Sequence, residues 1–292
     1  MKFAWIEGKK ADHCVTRLCM ALNVSTSGFY AWRGREPSKR ERRDARLNIE
    51  IAAIFHQQRG LYGSPRILEE LREMGLRVGV KRVARLMKTS GLTARWSRKA
   101  WRPRAAQDHL PVATNLVARN FTPEAPDQVW TADITYIWTS SGWLFLAVII
   151  DLYSRRVVGW AADGHMQTKL VLEALHKALG HRRLGQGAVH HSDRGSQYAA
   201  REYQKVLKET GLICSMSNKG DCWDNAPTES FFGTLKHELI HRHRWSSRAE
   251  VIEAIGDYID GYYNPCRRHS TLGQISPVEY ERRYRQAVAS AA

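Results

Sequence analysis

VWTADITYIWTSSGWLFLAVIIDLYSRRVVGWAADG, residues 129–164, decides the architecture of most of this chain. Eight of its first ten residues are β-branched or aromatic, which suits a pleated strand better than a helix. Ser140-Ser141-Gly142 supplies a turn, and WLFLAVIIDLYS (143–154) reads as a second strand. Arg155-Arg156 turns the chain again into a third strand, VVGWAADG (157–164). Such short turns join antiparallel neighbours, so a three-strand antiparallel meander is expected. Inside its first strand stands Asp133, beside Ile134, Tyr136 and Ile137. A carboxylate there is expensive to bury unpaired, and a bound cation would relieve that cost.

Downstream, TKLVLEALHKAL (168–179) reads as a helix, AVHHSD (188–193) as a strand and REYQKVLKETG (201–211) as a helix. LICSMS (212–217) is a short strand, NKGDCWDNAP (218–227) a loop, and TESFFGTLKHELIH (228–241) a further helix, with more helix over about 247–285. The order β-β-β-α-β-α-β-α resembles the ribonuclease-H-like fold of the α/β class.

Upstream the pattern is helical. Residues 14–33 read as two short helices, with Ser25 as N-cap of the second. GREPSKRERRD (34–44) is a linker or an exposed helix start. LNIEIAAIFHQQR (47–59), RILEELREMG (66–75) and VKRVARLMKTSG (80–91) follow as three helices, with Pro65 suited to a first turn and Gly75 and Gly91 to C-terminal stops. Helix, turn, basic helix is the helix-turn-helix order. Lys81, Arg82, Arg85 and Lys88 set positive charge beside Val83, Leu86 and Met87, which suits DNA contact or a solvated face of a small bundle. The expected divisions are a helix-turn-helix-like segment (1–45), a helix-turn-helix DNA-binding domain (46–100), a basic linker (101–124), the catalytic α/β domain (125–285) and a tail (286–292).

Charge follows the same division. Residues 1–120 hold 25 Lys/Arg against 10 Asp/Glu, and residues 121–292 hold 20 against 19. A basic front half suits a polyanionic partner, nucleic acid being the commonest, or a solvated basic surface. The five cysteines are irregularly spaced, which argues against a disulfide framework or zinc ribbon and fits a reducing compartment. WLFLAVII (143–150) is too short to cross a bilayer, and the N-terminus lacks the apolar core of a signal peptide, so a cytoplasmic protein without membrane partners is expected.

Three carboxylates stand out. Asp193 ends the fourth strand, where α/β sheets usually hold ligands, and Glu229 lies in the first turn of a helix entered through Asn225-Ala226-Pro227. Hard oxygen ligands suit Mg²⁺ or Mn²⁺, and two such ions can drive phosphodiester chemistry without a protein nucleophile. Each acid alone has a plainer use: Asp193 as a helix cap, Glu229 as a favourable charge at a helix N-terminus. The case rests on the three together.

Asp193 and Glu229 are separated by 35 residues. That spacing resembles the D,D(35)E signature of retroviral integrases and many bacterial insertion-sequence transposases. WTADITYI, VIIDLYSRRVVGW, HSDRGSQY, DNAPTESFFGTLKHE and YNPCRRHSTLGQISPVEY resemble the second-frame product of a large bacterial insertion-sequence family that makes its full transposase by frameshifting. LNVSTSGFYAWR and YGSPRILEELREMG extend the likeness to the front of the chain. The resemblance implies a polynucleotidyl transferase that nicks one end of its element and joins the freed 3′-hydroxyl to a phosphodiester, by a copy-out, paste-in route. It implies Asp133, Asp193 and Glu229 as catalytic metal ligands, two Mg²⁺ ions with Mn²⁺ as substitute, and Lys236, seven residues after Glu229, as a contact to the element's end. Its partners would be the terminal inverted repeats and target DNA, further copies of the chain on that DNA, and an upstream-frame product fused by frameshifting, in the bacterial cytoplasm at the nucleoid.

Asp151 rivals Asp133, but its neighbours Ser154, Arg155 and Arg156 suit a turn or ion-pair role. Arg194, Gln197 and Tyr198 could touch the DNA backbone or a flipped base, or brace their loop. Asn225 is a candidate for DNA contact or for ordering the loop before Glu229, and Trp223 for stacking on a base or packing. His237, His241 and His243 lack a well-spaced third ligand, so no structural zinc is expected. Two other functions fit the pattern: a nuclease of the same fold, and a helix-turn-helix DNA-binding protein with an inactive nuclease-like domain.

Overall fold

The computed structural model, which describes residues 1–94, 113–118, 120–217 and 225–291, divides into two units, Met1–Ala94 and Arg95–Ala292. The first is all helix: α1 (Lys2–Lys9), α2 (Val15–Ala21), α3 (Thr26–Arg33), α4 (Lys39–Gln57), α5 (Ser64–Glu73) and α6 (Val80–Thr89). Ile6, Leu18, Cys19 and Phe29 form the core of α1–α3. Ser25 caps α3 as expected, its side chain accepting from the Gly28 amide at 3.0 Å. Nothing in the sequence reading anticipated α1, which buries Ile6 alone and so shows no apolar period.

The stretch 34–44 resolves in favour of a helix start. Ser38 and Glu41 form a capping box: the Ser38 amide donates to Glu41 Oε2 at 2.7 Å, and the Glu41 amide to Ser38 Oγ at 3.2 Å. The division expected between residues 45 and 46 therefore falls inside one helix. Leu47, Ile51, Ile54, Ile67, Leu71, Val83 and Leu86 are buried where α4, α5 and α6 pack together. Gly75 and Gly91, at φ +79 and +67, end α5 and α6 in the left-handed region that favours glycine.

The second unit holds a sheet of order β3-β2-β1-β4-β5. Its strands are β1 (Val129–Thr139), β2 (Gly142–Asp151), β3 (Val157–Asp163), β4 (Val189–Ser192) and β5 (Ile213–Met216). The meander is antiparallel as expected, while β4 runs parallel to β1 and β5 parallel to β4. Its helices are α7 (Thr168–His181), α8 (Ser196–Ala199), α9 (Arg201–Glu209), α10 (Ala226–Glu238), α11 (Arg248–Tyr258) and α12 (Pro277–Ala291). Trp130, Ala132, Ala147, Ile149 and Ala161 of the sheet pack with Leu170, Val171, Ala174 and Leu175 of α7 and with Tyr203 and Leu207 of α9. That approach needs Gly159, since a Cβ there would lie 2.2 Å from the Ala174 carbonyl oxygen. The tail expected at 286–292 is, through Ala291, the continuation of α12.

Candidate active site

β1 and β4 pair in parallel from Val129↔Val189 to Ala132↔Ser192. Asp133 and Asp193 are the next residues on each strand, so they leave the last shared rung side by side. Beyond it, among the described residues, β1 pairs with β2 alone. The Asp133 carboxylate accepts from the Ile134 amide at 2.7 Å, and that of Asp193 from the Gly195 amide at 2.9 Å.

Glu229 reaches the same strand through its neighbours. Asn225 Nδ2 donates to the Ala132 carbonyl at 3.0 Å, and Thr228 Oγ1 to Thr131 Oγ1 at 2.8 Å. Thr228 Oγ1 also lies 3.0 Å from Asn225 Oδ1. These bonds fasten the start of α10 to the two β1 residues that precede Asp133. Two turns further on, Lys236 sits over the Tyr136 ring, its Nζ 5.2 Å from the centroid.

The electrostatics agree with a clustered set. Burial first, then the charges of Asp193 and Glu229, push the Asp133 pKa up to about 8, against the pull of the Ile134 amide and Lys236. Burial raises Asp193 as well, opposed by the Gly195 amide, and burial alone raises Glu229. Burial and mutual repulsion that raise neighbouring acids are costs that a bound cation relieves. Among the described residues, however, no three His, Cys, Asp or Glu side chains are drawn together closely enough to hold an ion as they stand.

Other expected residues fall into place differently. Asn225 is only 5% exposed and spends both ends of its amide inside the protein, which anchors the start of α10 to β1. Arg194 donates through Nε to the Ser217 carbonyl at 2.8 Å, tying the end of β4 to that of β5. Tyr198 is buried beside Tyr203 and cannot stack on a base, and Gln197 donates to the Met166 carbonyl at 3.1 Å. Trp223 lies outside the described residues. Asp151 does form a turn, accepting from the Asp127 amide at 2.6 Å and from the Ser154 amide at 2.8 Å. Thr131 and Thr228 escaped the sequence reading. The signal for Thr131 was the polar alternation Thr131, Asp133, Thr135 along the strand.

In the first unit, Lys39, Arg40 and Arg43 of α4 and Lys81, Arg82 and Arg85 of α6 line a cleft of about 600 Å³. Lys88 is exposed in the last turn of α6 and does not line it. Asp44 bridges the two helices, with Arg82 Nη2 and Arg85 Nη2 each 2.6 Å from its carboxylate.

The comparisons with known proteins match this layout. An integrase core domain family matches residues 123–222, a second family of that description residues 210–277, and an HTH-like domain family residues 41–100. The chain is 40% identical over 284 residues to the transposase InsF for insertion sequence IS3A of Escherichia coli strain K12, covering 96% of this chain and 98% of that one. The chain belongs to the IS3-type insertion-sequence transposases. It is also 45% identical over 272 residues to an uncharacterized 31 kDa protein of insertion element IS600 from Shigella sonnei, covering 93% of this chain and all of that one. Among solved structures, the transposase is similar to the HTLV-2 integrase catalytic core domain in complex with magnesium, at TM-score 0.41 and 14% identity, over 54% of this chain and 98% of that one. A simian T-cell lymphotropic virus intasome in complex with PP2A regulatory subunit B56 gamma gives TM-score 0.47 at 14% identity, over 79% of this chain and 74% of that one. By its family matches and its own sheet order, the transposase carries an integrase core of ribonuclease-H-like type and a helical HTH-like region. No helix among the described residues is long and apolar enough to cross a membrane.

Proposed function

We propose that this transposase nicks DNA at the ends of its insertion sequence and transfers the freed 3′-hydroxyl strand to a second phosphodiester, with Asp133, Asp193 and Glu229 as its catalytic triad. The observation that supports this most is the β1–β4 register, which sets two carboxylates on adjacent strands, with Glu229 fastened beside them by Asn225 and Thr228. An all-oxygen donor set of three acids suits hard divalent cations, Mg²⁺ or in its place Mn²⁺. When bound, two such ions would activate the attacking oxygen and stabilise the leaving one. The chain's own residues do the rest. Asn225 and Thr228 orient Glu229, the Arg194–Ser217 bond steadies the strand ends, and Lys236 offers positive charge to a phosphate at the site.

The basic cleft between α4 and α6 is the proposed grip on the terminal inverted repeats, with phosphate contacts supplying most of the affinity. Joining two ends requires two active centres on one DNA assembly, so the working form is a homo-oligomer on DNA in the bacterial cytoplasm. The family resemblance adds an upstream-frame segment fused by frameshifting.

The test is strand transfer in vitro on labelled DNA carrying the flanking repeats, in Mg²⁺ or EDTA, with the chain alone and with its upstream fusion. Asp133→Asn, Asp193→Asn and Glu229→Gln are each expected to lower joining at least about 10³-fold while DNA affinity stays within about twofold. Joined product that persists in EDTA, or in Glu229→Gln, would refute the triad.

A further inference from the structure

Tyr136, Trp138 and Trp143 are exposed to 36%, 60% and 44%, an unusual amount of aromatic surface to leave in water. They form one cluster. The Trp138 and Trp143 ring centroids are 4.9 Å apart and those of Tyr136 and Trp143 are 5.3 Å apart, both edge to face. The β1–β2 register places Trp138 opposite Trp143 and Tyr136 opposite Phe145, so all three share one face of the hairpin.

Two further observations give this cluster a direction. It lies near the carboxylates across a sheet edge: Asp133 precedes Tyr136 by three residues and Trp138 by five, so their side chains leave opposite faces of β1 roughly 10–17 Å apart at about 3.3 Å per residue, and among the described residues β1 has no β4 partner beyond Ala132 to close the edge between them. Lys236 links the two: it stands two turns after Glu229 on the same face of α10, and its ammonium lies 5.2 Å from the centroid of the Tyr136 ring. The hairpin end is also held stiffly. Arg248 donates through Nε to the Trp143 carbonyl at 2.9 Å and through its amide to Ser141 Oγ at 3.1 Å, while the Ser140 amide donates to the Trp245 carbonyl at 2.9 Å. A Cβ at Gly142 or Gly164 would lie 3.0 or 2.9 Å from the Arg248 guanidinium, so both positions leave room for this brace.

We propose that Tyr136, Trp138 and Trp143 are a stacking platform for unpaired nucleobases of the DNA strand whose phosphodiester lies at Asp133, Asp193 and Glu229. This rests on the polynucleotidyl transferase reading and deepens it. Aromatic faces beside a cation are what single-stranded nucleic acid requires: bases stack on the rings, the phosphate meets the lysine, and no base edge is read. A paired end offers only the outer face of its last base pair, so the platform favours DNA whose terminal bases have come apart. It also provides the aromatic surface that neither the buried Tyr198 nor its loop supplies.

The test uses the full chain and a 30-base-pair duplex carrying the element's terminal repeat and ending in a four-nucleotide overhang that carries 2-aminopurine. Binding is read in EDTA, where no cleavage intervenes. Wild type is expected to quench the fluorophore and to hold the overhang duplex about tenfold tighter than the Trp138→Ala/Trp143→Ala double variant. The Trp138→Phe/Trp143→Phe variant should keep most of that affinity, and affinity for blunt duplex should stay within twofold in all three proteins. Equal overhang binding by wild type and the double alanine variant overturns the proposal. So does a drop of the alanine variant from dimer to monomer in sedimentation, which would give this face to a second copy of the chain. Nicking of the same DNA by wild type in Mg²⁺ keeps the two readings separate: nicking without quenching defeats the platform alone, and its absence defeats the catalytic reading beneath it.

Discussion

Asp133 and His190 lie on neighbouring strands and answer to pH in opposite directions. Burial, then the charge of Asp193, lifts the Asp133 pKa from 3.8 to about 8. The unfolded chain releases this proton from about pH 4 upward while the metal-free fold retains it, so the fold loses stability as pH rises from about 4 to 8. Asp133→Asn removes that loss. In EDTA at pH 8 the variant should be more stable than wild type by on the order of 1–3 kcal/mol in urea unfolding. Adding Mg²⁺ should reverse the ranking, because only wild type gains a ligand. No difference in EDTA would mean that the carboxylate is not desolvated. His190 is the converse case. Burial, then neighbouring His191, lowers its pKa from 6.5 to about 3, and Tyr203 Oη lies 3.0 Å from its Nε2. The unfolded imidazole takes a proton below about 6.5 and the folded one does not, so this group removes stability as pH falls from 6.5 toward 3. Its ring nitrogens should show no titration above pH 4 by NMR, and a midpoint near 6 would contradict the buried placement.

Helix α6 shows what an element can hide from its own sequence. Its basic face was legible, with Lys81, Arg82 and Arg85 at helical spacing, but their partner was not. Asp44 lies 38 and 41 residues away from the two arginines it holds. Asp44, one of three acids inside GREPSKRERRD, was the signal, and the surrounding charge masked it just as it masked the capping box that starts α4. The strands were legible for the opposite reason: β-branched and aromatic residues leave little choice of backbone, and the turn residues punctuate them. The platform at Tyr136, Trp138 and Trp143 was read as strand and nothing more, since sequence cannot tell an exposed aromatic from a core one. Hydrogen bonds from Arg85 and then Arg82 hold the Asp44 pKa below the usual range, so the bridge is ionised at neutral pH. Asp44 therefore keeps both guanidiniums in fixed geometry and partly neutralised. Asp44→Asn should release them to phosphates. Binding to random-sequence duplex should strengthen severalfold at 50 mM salt, and the slope of log K against log salt should steepen by about 1 to 2. Preference for the terminal repeats should fall, as charge gains over geometry. Fluorescence anisotropy between 50 and 200 mM KCl measures both, and an unchanged slope would show that neither arginine reaches DNA.

At the scale of the molecule, the chain divides into a helical unit ending at Ala94 and an α/β unit after it, a boundary that lies before the point at residue 120 where the basic excess of the sequence ends. Each has its own core. How the second unit is closed was not legible, because its fastening is a buried ionic network assembled from residues far apart. Glu281 on α12 is fully buried. Its carboxylate accepts from Arg182 Nη2 at 2.6 Å, Ser154 Oγ at 2.8 Å, Arg156 Nη1 at 2.9 Å and Arg285 Nη2 at 3.0 Å. Ser154 Oγ in turn lies 3.0 Å from Asp151 Oδ1, so α12 is tied to the turn after β2. Burial alone would raise the Glu281 pKa, but Arg182, Ser154 and Arg156 outweigh it and hold it low. An acid so depressed adds stability above its unfolded pKa and loses it as pH falls through the carboxylate range. Glu281→Ala would leave the Arg182 side chain, only 8% exposed, with Asp127 at 3.3 Å as its remaining acid. Removing one partner of a buried pair costs about 3–5 kcal/mol, whereas Glu281→Gln keeps the shape and part of the bonding and should cost less. Urea unfolding of the full chain measures the difference. Because the two units have separate cores, the loss should fall on the α/β transition while duplex binding by the helical unit persists. If Glu281→Ala instead unfolds both units together, or costs under about 1 kcal/mol, then α12 is not held by this network and the closure of the catalytic unit lies elsewhere.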